Sequence, residues 1–211
     1  MVNVLSAPAE MIYFVGMVAV AASAASAVLE TESKQMDLVG AVIVGLAASL
    51  GGGTLRDMLL SRPAFWLTEV AYLVCGLCAV LVTFALARKV RIPAGWFVVP
   101  DTIGLSLFTV IGCQIGLAAQ VHWLSASLLA VITGVFGGLL RDVLVNEVPL
   151  IMRPGTLYAT ACWLGALALI GSRQLGAGEA LAATIGGSVV LLLRWAAIRY
   201  RLSLPTYKSR G

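Results

Sequence analysis

Long apolar stretches separated by short polar segments dominate the chain. Windows of about 19 residues pick out seven such stretches, and a bilayer-spanning helix needs roughly 20 apolar residues. The stretches lie near residues 11–29, 37–60, 65–87, 100–121, 122–146, 154–171 and 179–198. The pattern predicts an all-α fold, a polytopic membrane bundle of seven transmembrane helices.

Composition excludes most other classes of protein. The 211 residues are 60% hydrophobic and 11% charged, whereas soluble domains carry about 25% charged residues. The net charge of +4 is scattered between apolar runs, so no nucleic-acid surface is expected. His122 is the single histidine and the four cysteines lie in apolar segments. We therefore expect no metal site, no cofactor and no enzymatic activity, and membrane lipid as the surroundings.

Basic residues predict the orientation in the membrane. With seven spans, one side collects Lys34, Arg88, Lys89, Arg91, Arg153, Arg199, Arg201, Lys208 and Arg210. The other side holds only Arg62 and Arg173. The positive-inside rule then places the C-terminus in the cytoplasm and the N-terminus outside. Arg194, near the end of its span, is expected to snorkel to the interface.

An internal repeat divides the chain. The segment 52–59 (GGTLRDML) matches 137–144 (GGLLRDVL) at an offset of 85 residues. Each copy belongs to a unit of three spans, and an odd number of spans forces the two copies into opposite orientations. The predicted divisions are a first three-helix repeat at 1–90, a second, inverted repeat at 91–173, a seventh helix at 174–200 and a short basic tail at 201–211. Inverted repeats of this kind place a binding or permeation site near the membrane midplane.

Glycines in the middle of two spans have two interpretations. Each weakens a helix by about 1 kcal/mol relative to alanine, which favours a kink or break lining a pathway. Close packing of helices is the alternative. The residues predicted to line the pathway or to kink the helices are Gly51, Gly52, Gly53, Thr54, Gly137, Gly138, Ser49, Thr133 and Asn146.

The repeated Arg-Asp dipeptides are predicted to be charged pairs at membrane depth. A charge there costs at least about 2.5–3.5 kcal/mol, so it needs a partner or water. Because neighbours on a helix point about 100° apart, we expect crossed pairs, Arg56 with Asp142 and Arg141 with Asp57. They either line the pathway or fasten two helices together. Asp101, beside Pro100, is expected to cap the fourth span.

The doubled Gly-Gly-x-x-Arg-Asp motif resembles the trimeric intracellular cation channel family and its bacterial relatives, over residues 13–200. Asp101 followed by Gly104, Phe108 and Gly112 is similar to the start of the second unit in the bacterial branch. The resemblance implies a homotrimer in the bacterial inner membrane. Each subunit would hold a pore for monovalent cations, mainly K⁺, between glycine-broken second and fifth helices.

Two alternatives remain beside the channel. Some bacterial relatives are labelled glycine transporters, and an Arg-Asp pair also suits the ammonium and carboxylate of a small amino acid. A structural membrane protein whose charges only fasten helices is the third possibility. The short tail at 201–211 departs from the long basic tail of animal members, so the resemblance does not carry over their lipid regulation.

Overall fold

The structure, a computed structural model, describes residues 7–31, 34, 36–90, 93 and 95–205, with side chains from residue 11 onward. Within these residues it contains eight α-helices and no strand, which confirms the all-α fold class. The helices are α1 (Ala7–Thr31), α2 (Leu38–Leu59), α3 (Phe65–Thr68), α4 (Val70–Ala87), α5 (Val98–Ala118), α6 (Trp123–Leu144), α7 (Tyr158–Gln174) and α8 (Glu179–Tyr200). The predicted tail is described only as far as Pro205, and Arg91, Lys208 and Arg210 lie outside the described residues.

Most predicted spans correspond to one long helix each. In the described part of the chain, α1, α2, α4, α5, α6 and α8 are long and apolar enough to cross a membrane. The predicted span at 65–87 is divided into α3 and α4, because Glu69 adopts an extended backbone with φ −126° and ψ 89°. Helix α7 has 17 residues, a length of about 25 Å at 1.5 Å per residue. The count of seven crossings therefore stays a prediction.

The helices form two groups of three. Helices α1, α2 and α4 pack against one another, as do α5, α6 and α7. The groups meet mainly where α1 packs on α5 and α2 packs on α6, and α8 covers α5 and α7. Helices at the same place in the two groups thus face each other, and α8 packs on the second group.

Helices α2 and α6 run without interruption through their glycines. Residues 51–53 lie inside α2, and residues 137–138 lie inside α6. The predicted break at these positions is therefore wrong. A continuous helix keeps its backbone hydrogen bonds within the segment, which an apolar environment favours strongly.

Candidate functional site: two charged motifs beside a glycine crossing

The two Gly-Gly segments are the point where α2 and α6 touch. A methyl group added to Gly52 would overlap the carbonyl oxygen of Thr133, and one added to Gly137 would overlap the carbonyl oxygen of Ala48. Ala48 of α2 faces Gly137 of α6, whereas Gly52, four residues later on α2, faces Thr133, four residues earlier on α6. The helices therefore pass each other in opposite directions. Ala48 and Gly52 correspond to Thr133 and Gly137 in the second copy of the repeat, 85 positions later. The repeat therefore relates each of the two contacts to the other.

The remaining glycines of the motif also make close contacts. An added methyl on Gly51 would overlap the Leu140 side chain, one on Gly53 would press on the Phe65 ring, and one on Gly138 would press on the Tyr158 hydroxyl. These contacts support the packing interpretation of the glycines, and a kink at the same positions stays a prediction.

Both Arg-Asp dipeptides lie in the last turn of their helices. Arg56 is three residues from the end of α2, and Arg141 is three residues from the end of α6. At 1.5 Å per residue, each arginine lies about 5 Å from a helix end. The four side chains are buried, with 1–3% of each residue exposed. The charges thus lie near the ends of span-length helices and are enclosed by protein, and their depth in the membrane stays a prediction.

Each aspartate joins its arginine to the segment that follows the helix. Asp57 Oδ1 accepts from Arg56 Nε at 2.8 Å, and Asp57 Oδ2 accepts from the Phe65 backbone N–H at 2.9 Å. In the second copy, Asp142 Oδ1 accepts from Arg141 Nε at 2.8 Å, and Oδ2 accepts from the Leu150 N–H at 2.7 Å. Both copies of the motif therefore make the same turn.

A residue with positive φ makes each of these turns possible. Ser61 has φ 53° and Asn146, which lies 85 positions later, has φ 56°. Asparagine and glycine tolerate this left-handed region better than most residues. Asn146 is exposed after the end of α6, so it is a turn residue and does not lie between the helices.

The predicted crossed pairing is wrong. Arg56 Nη2 lies 2.8 Å from Asp57 Oδ1, and Arg141 Nη2 lies 2.8 Å from Asp142 Oδ1. Each arginine lies four residues beyond the glycine crossing, and the helices run in opposite directions. Because Gly52 lies level with Thr133, Arg56 lies level with residue 129 of α6, twelve residues from Arg141. The motifs are therefore roughly 18 Å apart along the helix axes, while the long arginine side chain reaches its own neighbour easily.

Arg141 has a larger set of partners than Arg56. Its Nη1 atom donates to Asp101 Oδ1 at 2.7 Å and to Ser26 Oγ at 3.0 Å. The guanidinium also lies over the Phe97 ring at 5.3 Å. Asp101 is in the first turn of α5, but the N-cap residue is Phe97. The predicted capping role of Asp101 is therefore wrong, because the side chain faces the bundle interior instead.

Arg194 of α8 completes this cluster. Only 1% of the residue is exposed, so the predicted snorkelling is wrong. Its Nη1 atom donates to the Thr156 carbonyl at 2.6 Å, and its guanidinium lies 4.6 Å from the Tyr158 ring centroid. Its Nη2 atom is 3.6 Å from Asp101 Oδ2. The Tyr158 hydroxyl donates to Asp101 Oδ1 at 3.0 Å.

The pattern of α8 carried a signal for Arg194 that the span prediction missed. The buried residues of α8 are Ala182, Gly186, Val190, Arg194 and Ala197. They follow one another at three- or four-residue spacing, which places them on one face of a helix. An arginine in line with small residues therefore belongs to the packed face.

The predicted hydroxyl groups lie near the crossing, and each donates to a carbonyl of its own helix. Thr133 donates to the Leu129 carbonyl at 2.6 Å, and Ser49 donates to the Leu46 carbonyl at 3.4 Å. Thr54 donates to the Leu50 carbonyl at 2.8 Å and accepts from Trp66 Nε1 at 2.9 Å. Each hydroxyl oxygen keeps acceptor capacity.

An exposed ion-pair cluster ties the two groups of helices together outside the spans. Lys34 Nζ lies 2.6 Å from Glu147 Oε1, and Arg153 Nη2 lies 3.2 Å from Glu147 Oε2. The Lys34 hydrogen bond is the main cause that lowers the pKa of Glu147 below its ordinary value. Lys34 and Arg153 therefore lie on the same side of the bundle.

Apolar helices around buried, mutually paired charges define an integral membrane protein. The sequence model of the family described as "Glycine transporter" matches residues 11–88 and matches again at residues 98–174. The chain therefore belongs to this family.

Similar proteins come from several bacteria. The chain is 38% identical over 200 residues to the UPF0126 inner membrane protein YadS of Escherichia coli strain K12, covering 93% of this chain and 96% of YadS. It is 37% identical over 199 residues to a UPF0126 membrane protein of Vibrio cholerae, covering 93% and 83%.

Solved structures confirm the resemblance to trimeric intracellular cation channels. The TRIC trimeric intracellular cation channel orthologue from Rhodobacter sphaeroides matches at TM-score 0.85 and 34% identity, over 92% of this chain and 100% of that chain. A second structure, described as the structural basis for conductance through TRIC cation channels, matches at TM-score 0.84 and 29% identity, over 94% and 98%.

Proposed function

We propose that this protein is a cation channel of the bacterial inner membrane. The observation that carries the proposal is the match to the cation channel orthologue at 34% identity and TM-score 0.85 over that whole chain. K⁺ is the proposed main ion, and a homotrimer with one pore in each subunit is the proposed assembly. The proteins that it resembles are named as channels or membrane proteins, so no enzymatic step is proposed.

The proposed pathway follows the α2–α6 interface. In the described conformation it is closed at Gly52 and Gly137, because the two backbones touch there. Opening requires the helices to separate at this crossing. The groups proposed to line the opened pathway are Ser49, Gly51, Gly52, Gly53, Thr54, Thr133, Gly137 and Gly138, with Asn146 at one mouth and the two Arg-Asp pairs on either side.

The two three-helix units are proposed to be inverted repeats with the boundaries 1–90 and 91–173. The exchanged contacts of Gly52 and Gly137 support this proposal, as does the double match of one family model. Seven crossings are proposed on the basis of the repeat, and the N-terminus outside with the C-terminus cytoplasmic on the basis of the basic residues. The common side of Lys34 and Arg153 agrees with that orientation.

Single-channel recording tests the channel proposal. Purified protein in planar bilayers under a K⁺ gradient should give unitary currents that reverse near the K⁺ equilibrium potential. Replacing K⁺ by N-methyl-D-glucamine should abolish them. Currents without cation selectivity, or no currents from correctly folded protein in repeated reconstitutions, would refute the proposal.

Glycine transport is the second candidate, because the family description names it. Proteoliposomes loaded with unlabelled glycine should then accumulate labelled glycine by counterflow, with saturation at high substrate. A channel does not show counterflow, since its opposing fluxes are not coupled. Glycine counterflow in protein that gives no unitary currents would replace the channel proposal by the transporter.

A further inference from the structure

A groove on the outer surface of the bundle separates part of α5 from α8. Its volume is about 530 Å³, within the range of about 300–1,000 Å³ that is typical of sites for small molecules. Its walls include Val99 and Ile103 of α5 and Leu191, Trp195 and Ile198 of α8. All five side chains are exposed, and both helices are long and apolar enough to cross a membrane. The groove therefore opens towards the lipid.

The groove is basic at one end and apolar along the rest of its length. Arg199 lies in the last turn of α8, and Leu191 lies eight residues earlier, about 12 Å away along the helix axis. On the other wall the lining begins at Gly95, before α5 starts, and extends to Ile103. The groove thus runs along both helices, from their ends towards the interior of the membrane.

Aromatic side chains mark the level of the basic end. Trp96 and Trp195 both line the groove, and both are more than half exposed. The Trp195 ring also lies edge-on to the ring of Tyr200, with 6.2 Å between the centroids. Tryptophan and tyrosine are enriched where the hydrocarbon of a bilayer meets the head groups. The basic end of the groove is therefore expected at head-group level.

Positive charge at this end is not balanced by carboxylates. Arg88 and Lys89 belong to the connection between α4 and α5, which also supplies part of the lining, and Arg199 and Arg201 lie at the end of α8. Within the part of the chain that the structure describes, none of the four has a carboxylate oxygen within 4.0 Å. Arg199 is the one of these four that lines the groove. Basic pockets between helices at head-group level suit anionic lipids.

We propose that the groove binds one anionic phospholipid of the phosphatidylglycerol type. Its phosphate would contact the Arg199 guanidinium, since guanidinium and phosphate groups form charge-assisted hydrogen bonds. An acyl chain would lie against Val99, Ile103 and Leu191. A zwitterionic phospholipid carries its own positive group, so it gains less from a basic site. The lining contains no residue of α2 or α6, and the proposal does not depend on the channel function.

Thermal unfolding of the full chain in detergent is the first measurement. Phosphatidylglycerol should raise the melting temperature at a lower lipid concentration than phosphatidylcholine does. Arg199→Gln should raise the phosphatidylglycerol concentration that gives half of this effect by at least about fivefold, the factor expected for one basic residue at an anionic surface. Arg88→Gln removes the same charge outside the lining, so it is the matched control and should behave as wild type.

Three results of this titration would overturn the proposal. Equal effects of the two lipids on the wild type would show that no anionic head group is required. Equal shifts in Arg199→Gln and Arg88→Gln would show diffuse attraction to a basic surface. An equal effect of inorganic phosphate at the same ionic strength would show that the acyl chain, and hence the groove, is not involved.

Quenching of tryptophan fluorescence by brominated acyl chains is the second measurement. In phosphatidylcholine vesicles, a small fraction of brominated phosphatidylglycerol should quench more strongly than the same fraction of brominated phosphatidylcholine. Trp96→Phe combined with Trp195→Phe should remove this difference, whereas Trp163→Phe, in α7 and outside the lining, should keep it.

Equal quenching of the wild type by the two brominated lipids would overturn the proposal. The same result is expected if a second copy of the chain covers the groove. Neither measurement needs ion flux. Selective quenching in protein that gives no unitary currents would therefore keep the lipid site and reject the channel.

Discussion

Alanine substitution at the α2–α6 crossing tests the contact on which the fold and the proposed pathway both depend. A methyl group at Gly52 or Gly137 would overlap a backbone carbonyl oxygen of the facing helix. A flexible side chain rotates away from such an overlap, but main chain within a helix does not. The two helices must therefore move apart and lose neighbouring packing.

The expected loss follows from two opposing effects. Overpacking a tight interior costs about 1–3 kcal/mol, and alanine regains roughly 1 kcal/mol of helix propensity over glycine. Since the overlap is with main chain, the upper part of the first range applies, and a net loss of about 2 kcal/mol is expected. For a soluble domain of this size, that corresponds to a melting temperature lowered by about 4–8 °C.

Thermal unfolding of the detergent-purified variants measures this effect. Gly171→Ala is the matched control, because Gly171 lies in α7 and no atom lies within 4 Å of an added methyl. It should melt at or slightly above the wild-type temperature. The exchanged contacts predict similar losses for Gly52→Ala and Gly137→Ala. If either variant melted at or above Gly171→Ala, the close crossing would be refuted.

Two further predictions concern the charged groups. Arg141→Ala should lower stability by about 3–5 kcal/mol, as for other buried pairs. The loss should be larger than for Arg56→Ala, because Arg141 also bonds Asp101. Arg173→Ala, at an exposed site, should change stability by less than about 1 kcal/mol. A similar effect of all three in thermal unfolding would refute this. Because the pKa of Glu147 is lowered in the folded protein, its pairing with Lys34 stabilises the fold fully at pH values above its ordinary pKa of 4.5. The stability difference from Lys34→Gln should therefore vanish as pH falls through the lower, folded-state pKa, and a difference unchanged by acid would contradict it.

The sequence predicted the positions of most helices because the bilayer imposes their length and composition. The predicted spans at 37–60 and 122–146 differ from α2 and α6 by at most two residues at each end. The interruption at Glu69 was not predictable in the same way. No glycine or proline marks it, and the contacts of α3 with α2 and α4 that accompany its non-helical backbone are tertiary features that the sequence does not show.

Predicting which groups pair with the buried charges required the geometry of the crossing between α2 and α6. The sequence indicated that Arg56 and Arg141 need carboxylates, but the helices' direction and point of contact decide which carboxylates lie within reach. The crossing lies four residues before each arginine, so it separates the two motifs. Asp101 and Arg194 were assigned to helix ends, although both face the interior.

The shared and unshared parts of the two units have different consequences for function. The Arg-Asp motif forms the same turn in both units, from the arginine contact to the N–H bond eight residues after the aspartate. A feature repeated so closely is explained by its folding role at each helix end. The Asp101 contact with Arg141 and the Arg194 contact with Asp101 are made on the side of the second unit only, and the turn does not require them. The asymmetric charges, rather than the repeated motif, are therefore where control of the pathway is expected.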